Sequence, residues 1–340
     1  MAALAEMGQR HSQPANRKTA PVFVLGCPRS GTTLLYHMLL SAGSFATYRS
    51  ESNVFNLLVP RFGGMRSSRD REDLMRYWLR SKLFRVSGLD ALAIQAKIIA
   101  DCRTGGDFLR MTMEAVARSQ GVERWADCTP EHLLYIPEIK REIPNALIVH
   151  IIRDGRDVAL SYVKQGWAYP LPWDRCEHLS VAGLYWEWIV SRGREYGRRL
   201  GGDYQEVHFE ALVTQPRETL ARLSQFVGQD LDYQRIQQVG IGSVSEPNSS
   251  FSEESREEFN PTERWKTRMS TEDMDAFESL CGEFLQQLGY PLASGKARRR
   301  NLHAWRMRAT YLPMFAAKHW CKTRTPMGRL VQIGRLQIEG

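Results

Sequence analysis

Long hydrophobic runs are missing from this 340-residue sequence: no stretch of about 18 consecutive apolar residues occurs, so no transmembrane helix is expected. The first twenty residues (MAALAEMGQRHSQPANRKTA) hold no apolar segment of signal-peptide length and read as a disordered arm. Cysteine is sparse as well. Cys27, Cys102, Cys128, Cys176, Cys281 and Cys321 are scattered, with no C-x-x-C pair and no His at zinc-ligand spacing, which argues against a disulfide framework or a zinc site. Compositional bias is absent too: 43% hydrophobic and 25% charged residues exclude disordered, collagenous and coiled-coil chains. These absences predict a globular, cytoplasmic protein with reduced thiols.

Acidic residues are lacking at one end only. The segment 296–340 holds 11 of the 46 Lys and Arg but one of the 38 acids, so the rest of the chain carries 35 basic and 37 acidic groups. The net charge of +8 therefore belongs to this basic extension, and no nucleic-acid partner is expected of the body. Within it, Trp305, Tyr311, Met314, Phe315 and Trp320 alternate with Arg and Lys, the composition of a peripheral segment on an anionic membrane surface. A helix packed against the body or between subunits, or a solvated arm, together carry more weight, and Pro313 is expected to break a single long helix.

What is present is an alternation of strands and helices. VFVL (22–25) ends at Gly26 and passes through the loop CPRSGTT into LLYHMLL, a strand, a Gly-containing loop and a buried helix stopped at Gly43. Residues 66–120 are helical and amphipathic and read as a helical insertion. HLLYIPEIKREI is a helix ended by Pro144, and ALIVHII (146–152), apolar but for His150, reads as a buried parallel strand. The loop RDGRD and a helix from about Val158 follow. Residues 204–209 read as a strand, Pro216 opens a helix closed by Gly228, and Ser270 caps a last helix. The pattern predicts an α/β fold of the P-loop type, a parallel sheet with helices on both faces, over residues 21–295.

Two loops carry the chemistry. Gly26 and Gly31 have the spacing of a nucleotide-triphosphate loop, but Thr32 stands where such a loop carries Lys. Successive N–H groups at a helix N-terminus still form a nest for an anion, and a singly charged sulfonate can be held there by Arg29, hydroxyls and amides without Lys and magnesium. Taken alone the segment is as readily an ordinary strand-to-helix turn. At the carboxyl end of 146–152, where open α/β sheets bind ligands, stands Arg153, followed by Asp154, Gly155, Arg156 and, on the next helix, Ser161. Arg153 offers a forked donor for a phosphate and Ser161 a hydroxyl. The plain alternative is that Arg153, Asp154, Arg156 and Asp157 form a surface ion-pair loop.

PVFVLGCPRSGTTLL together with IVHIIRDGRDVALSY resembles the paired phosphosulfate and 3′-phosphate motifs of the sulfotransferase superfamily, in particular its broad bacterial branch, related to the tyrosylprotein sulfotransferases. The similarity extends through W-x-x-x-TPEH (125–132), VHFEALVTQPRETLARLSQFVG, NSSF, ERWK and EFLQQLGYPL, about residues 21–292. The resemblance implies transfer of a sulfonate from 3′-phosphoadenosine 5′-phosphosulfate (PAPS) to a hydroxyl or amine of a small-molecule, glycan or peptide acceptor, without a metal. Carried over, Arg29, Ser30, Gly31, Thr32 and Thr33 hold the 5′-phosphosulfate, Arg153 and Ser161 the 3′-phosphate, and Ser249 and Arg264 close over the nucleotide. The catalytic base falls on Glu51, with His132 as the spare candidate.

Where many family members read Lys-Thr-Pro, this chain reads Cys128-Thr129-Pro130. A thiol is a weak donor. Charge at the leaving oxygen then falls to Arg29 and the loop amides, or to Lys266, or the chain binds the nucleotide and turns over poorly. Two alternatives stay beside the transferase: a P-loop nucleotide kinase, and a module that binds 3′-phosphoadenosine 5′-phosphate (PAP) without turnover. The helical insertion and the aromatic stretch GWAYPLPW (166–173) are the expected acceptor walls.

Overall fold

The computed structural model describes residues 16–167, 178–239, 261–295 and 301–336. Its centre is a four-stranded parallel sheet of β1 (Val22–Gly26), β2 (Ala126–Asp127), β3 (Leu147–Ile152) and β4 (Tyr204–His208), in the spatial order β2-β1-β3-β4. Every residue of β1 and β3 is buried, as strands covered on both faces must be. They pair from Val22 opposite Leu147 to Gly26 opposite Ile151, so both strands end at the same edge. Alternation along them feeds two cores. Phe23, Leu25, Ile148 and Ile152 join one, while Val22, Val24, Leu147, Val149 and Ile151 join the other.

Helix α1 (Thr32–Ser41) follows the first loop, and the stretch 66–120 folds into α2 (Ser68–Trp78), α3 (Lys82–Ser87), α4 (Ala91–Asp101) and α5 (Gly105–Ser119). Ser67, Ser81, Asp90 and Thr104 cap these four with their side chains, each satisfying an N–H the helix leaves open. After α6 (Ile136–Glu142) and β3 comes α7 (Gly155–Lys164), which starts three residues earlier than the apolar pattern suggests. The reason is local: the Asp154 carboxylate accepts from the Arg156 N–H at 2.9 Å and so caps a helix whose first turn is polar. Next are α8 (His178–Gly197), then α9 (Phe209–Thr214), α10 (Pro216–Val227) and α11 (Tyr233–Val239), which packs Ile236 into one core with Leu35 and Leu39 of α1, and later α12 (Trp265–Arg268) and α13 (Thr271–Gln287). Gly228 closes α10 with φ +66° and Ser270 caps α13, both as the sequence predicts.

Pro313 does not break the basic extension. Helix α14 runs from Leu302 to Arg324 straight through it. Proline removes one N–H from the ladder, but the turn on either side is held by tertiary packing. Tyr311 and Phe315 are buried in the first core together with Ala304, Ile333 and Leu336, and Arg308 donates to both oxygens of Glu187 on α8 at 2.7 and 2.6 Å. Among the described residues no helix is long and apolar enough to cross a membrane.

Candidate active site

The site grows from the shared end of β1 and β3. A Cβ on Gly26 would lie 2.6 Å from the carbonyl oxygen of Ile151, so the strands approach as closely as their backbones allow just before the first loop leaves the sheet. Residues 27–31 then turn sharply, with Arg29 at φ +75° and Gly31 at φ +93°. Gly31 caps α1 without any side-chain bond, which leaves the N–H groups of the first turn aimed into the loop. Ser30 is fully buried, and its hydroxyl has no hydrogen-bond partner among the described residues. A buried orphan hydroxyl beside open amides is what an anion cradle contains.

The second motif docks onto the first. Arg29 Nε donates to Ser161 Oγ at 2.9 Å, and Arg153 Nη1 donates to the carbonyl oxygen of Arg29 at 3.1 Å. Arg153 Nη2 reaches the Pro261 carbonyl at 2.6 Å, its guanidinium lies 4.4 Å from the centroid of Phe209, and its Nε has no partner. The Phe209 ring in turn fills the space that a Cβ on Gly31 would enter at 2.3 Å, so Gly31, Phe209 and Arg153 form one stack. Burial lowers the pKa of both arginines, and for Arg29 the neighbouring Arg153 adds to it. Two half-buried guanidiniums that repel each other are an electrostatic demand for anions. Trp265 N–H donates to Asp157 Oδ1 at 3.0 Å, which draws the start of α12, with the buried Arg264, against this cluster. Burial pushes the Asp157 carboxyl up to about 6 despite Arg153 beside it. Ser249 lies outside the described residues.

Glu51 stands on the other side of the first loop. It is exposed, and its charge reaches Cys128, whose buried thiol contacts the Thr32 side chain and is held well above the usual thiol range by burial. The stretch 51–53 is pinned from below. Thr129 Oγ1 accepts from the Asn53 N–H and meets Ser52 Oγ, both at 3.3 Å, and donates to Asp127. Asn53 itself takes a left-handed conformation (φ +53°) and starts a π-helical turn, Val54–Leu58. His132 belongs to this support. Its Nε2 accepts from the Phe55 N–H at 3.1 Å, which places the ring proton on Nδ1, 2.9 Å from Asp127 Oδ2. With both nitrogens used and no exposed surface, His132 holds the Glu51 segment in place. Lys266 pairs with Glu263 at 2.7 Å.

A profile described as the sulfotransferase family matches residues 21–233, which span both loops, the Glu51 segment and all four strands. The chain belongs to the sulfotransferase family. Among solved structures it is similar to the sulfotransferase domain from the curacin biosynthetic pathway, with 18% identity, a TM-score of 0.51 and coverage of 80% of this chain and 98% of that one. A second likeness is to the sulfotransferase domain of the Synechococcus PCC 7002 olefin synthase, with 16% identity, a TM-score of 0.46 and coverage of 89% and 98%. No curated protein matches the sequence. The parallel sheet and its flanking helices are the fold shared with the first of these neighbours.

Glu131 is a residue of this sulfotransferase that sequence reasoning passed over in favour of its neighbour His132. It is half-buried, accepts from Asn56 Nδ2 at 2.9 Å and from Tyr185 Oη at 3.5 Å, and faces a cavity of about 190 Å³. The same Asn56 amide lies 3.2 Å from Asn53 Oδ1, and the Asn53 amide donates to the Glu51 carbonyl, so both acids border one segment. The signal was available: Glu131 sits beside His132 in a motif already singled out. Trp167 is the described part of the aromatic stretch and lines this cavity, while the insertion 66–120 contributes none of its lining residues.

Proposed function

We propose that this sulfotransferase moves a sulfonate from PAPS to a hydroxyl or amine of its acceptor by in-line displacement at sulfur, without a metal ion. The observation that carries this reading is the hydrogen-bonded array of Arg153, Arg29 and Ser161 at one sheet edge, next to a phosphate loop that has Thr32 in place of Lys. The orphaned Ser30 hydroxyl, the open amides after Gly31 and the partnerless Nε of Arg153 fit a nucleotide phosphorylated at both ends. PAPS supplies an activated sulfonate on a phosphate leaving group. Arg29 and the amides and hydroxyls of residues 30–33 bind its 5′ end and meet the charge that develops there. Arg153 and Ser161 bind the 3′-phosphate, and Arg264 and Ser249 cover the nucleotide. The acceptor oxygen bonds to sulfur as the bridging sulfur–oxygen bond breaks, and Glu51 takes the acceptor proton.

Ligand preference tests the reading. PAP alone should raise the melting temperature in the absence of magnesium; stabilisation only by ATP with magnesium would make the chain a nucleotide kinase. Turnover on a panel of hydroxyl acceptors then separates an enzyme from a PAP-binding module. Glu51→Gln should bind PAP as the parent does while losing about 10² to 10⁴ in rate. An unimpaired Gln variant would move the base to another group, Glu131 first.

A further inference from the structure

The basic extension contributes a wall to the cavity that Glu131 faces. Phe315, Lys318, His319 and Lys322 all line it from α14, at the i, i+3, i+4, i+7 spacing that puts residues on one helical face. The opposite walls are aromatic. Tyr185 and Trp188 come from α8, with ring centroids 5.4 and 5.8 Å from Phe315, and Trp167 stands after α7. The cavity adjoins the first loop: the Arg29 guanidinium is 6.0 Å from the Trp167 ring, and Tyr162, another lining residue, directly follows Ser161.

Its charge is arranged by depth. Lys318 is exposed at the mouth, Lys322 is half-buried beside it, and the Glu131 carboxylate is held from inside the fold by Asn56 and Tyr185. His319 meets Tyr135 edge to face with centroids 5.1 Å apart, and burial with the nearby Lys322 and Arg324 lowers its pKa to about 4, so near neutrality the positive charge of this wall rests on the two lysines. A ligand matching this order carries a hydrogen-bond donor at its inner end, a flat apolar body and an anion at its outer end. A cavity of about 150 Å³ suffices to seat benzene, so about 190 Å³ suits one substituted ring.

Building on the sulfotransferase reading, we propose that this cavity is the acceptor subsite and that its acceptor is a single-ring aromatic hydroxyl compound bearing an acidic group. The ring lies among Trp167, Tyr185, Trp188 and Phe315, the hydroxyl passes Glu131 toward the first loop and Glu51, and the acid pairs with Lys318 and Lys322. A segment whose composition suits a membrane surface thereby becomes a specificity element.

The test uses the full chain saturated with PAP and two probes, 4-hydroxyphenylacetate and 4-methylphenol, titrated by calorimetry. The acid should bind about tenfold more tightly, the worth of one charge-assisted contact. The double substitution Lys318→Glu and Lys322→Glu should abolish that preference and leave PAP affinity unchanged, whereas replacing both by Arg should retain it. Equal binding of the two probes, binding of neither while PAP still binds, or a preference that survives charge reversal would overturn the proposal. If PAP itself fails to bind, the sulfotransferase reading falls. The probes are then titrated without it, and a lysine-dependent preference for the acid would still assign the subsite.

Discussion

Arg153, in the loop after β3, and Arg156, in the first turn of α7, stand three residues apart and have opposite fates. Arg156 is fully buried and completely used: it forms a forked pair with Asp154 at 3.0 and 2.7 Å, donates to Glu278 at 2.9 Å and to the Pro291 carbonyl at 2.8 Å, and lies 3.5 Å from the Trp265 ring centroid. Glu278 is equally occupied, accepting from the Ala293 N–H and the Ser294 hydroxyl. This cluster fastens the loop after β3 to α13 and to the chain beyond it. Arg153 has one idle donor, a carboxylate at 3.8 Å that is too far for a hydrogen bond, and a second arginine as neighbour. A saturated buried charge is structural, while an unsaturated one at a strand end is a site waiting for its ligand.

Three substitutions bear on that contrast. Arg156→Ala leaves Asp154 and Glu278 buried without their partner and should cost about 3 to 5 kcal/mol of unfolding free energy, read from denaturant midpoints. If its stability were close to the parent's, the cluster would not be the fastening assigned to it. Arg153→Ala should instead act on binding. PAP affinity should fall by about 1.5 to 3 kcal/mol, more than tenfold, with much less loss for adenosine 5′-phosphate, which lacks the 3′ group. Equal losses for both ligands would remove Arg153 from the 3′-phosphate.

Asp157→Asn is expected to have the smallest effect, and it is stabilising. The folded-state pKa of Asp157 is raised from about 3.8 to about 6, so its stability contribution is intact below pH 4, falls away as pH rises through 6 and is fully lost above it. The Asn variant should therefore match the parent near pH 4 and exceed it by about 1 to 2 kcal/mol at pH 8. A variant less stable than the parent at pH 8 would show that the ion pair with Arg153 outweighs desolvation.

The same contrast explains what could be read in advance. Unbroken apolar runs, a lone Gly at each loop and capping residues such as Ser270 act locally, so the strands, the parallel sheet and the loops that leave β1 and β3 were legible. So was the ambiguity of the RDGRD segment, because a sequence does not say which of two arginines will find partners 122 residues away, as Arg156 does in Glu278. Glu131 was hidden for a similar reason: its significance comes from Asn56 and Tyr185, which the fold brings to it. The extension misled through Pro313, whose local cost was clear while the burial of Tyr311 and Phe315 that offsets it was not. Its i, i+3, i+4, i+7 face was nevertheless written in the sequence.

The first core reaches from Phe23 on β1 to Ile333 and Leu336, and the Tyr77 hydroxyl bonds the carbonyl of Ile333. Contacts this distant in sequence bear on biosynthesis. On the ribosome the sheet and the loops after β1 and β3 emerge long before the segment that completes their core, so the nascent chain carries an uncovered apolar face until residue 336 is free. Such intermediates are where aggregation begins. Expression conditions that slow elongation, or a chaperone that shields α8 until α14 arrives, should thus govern yield more than any substitution in the loops after β1 and β3.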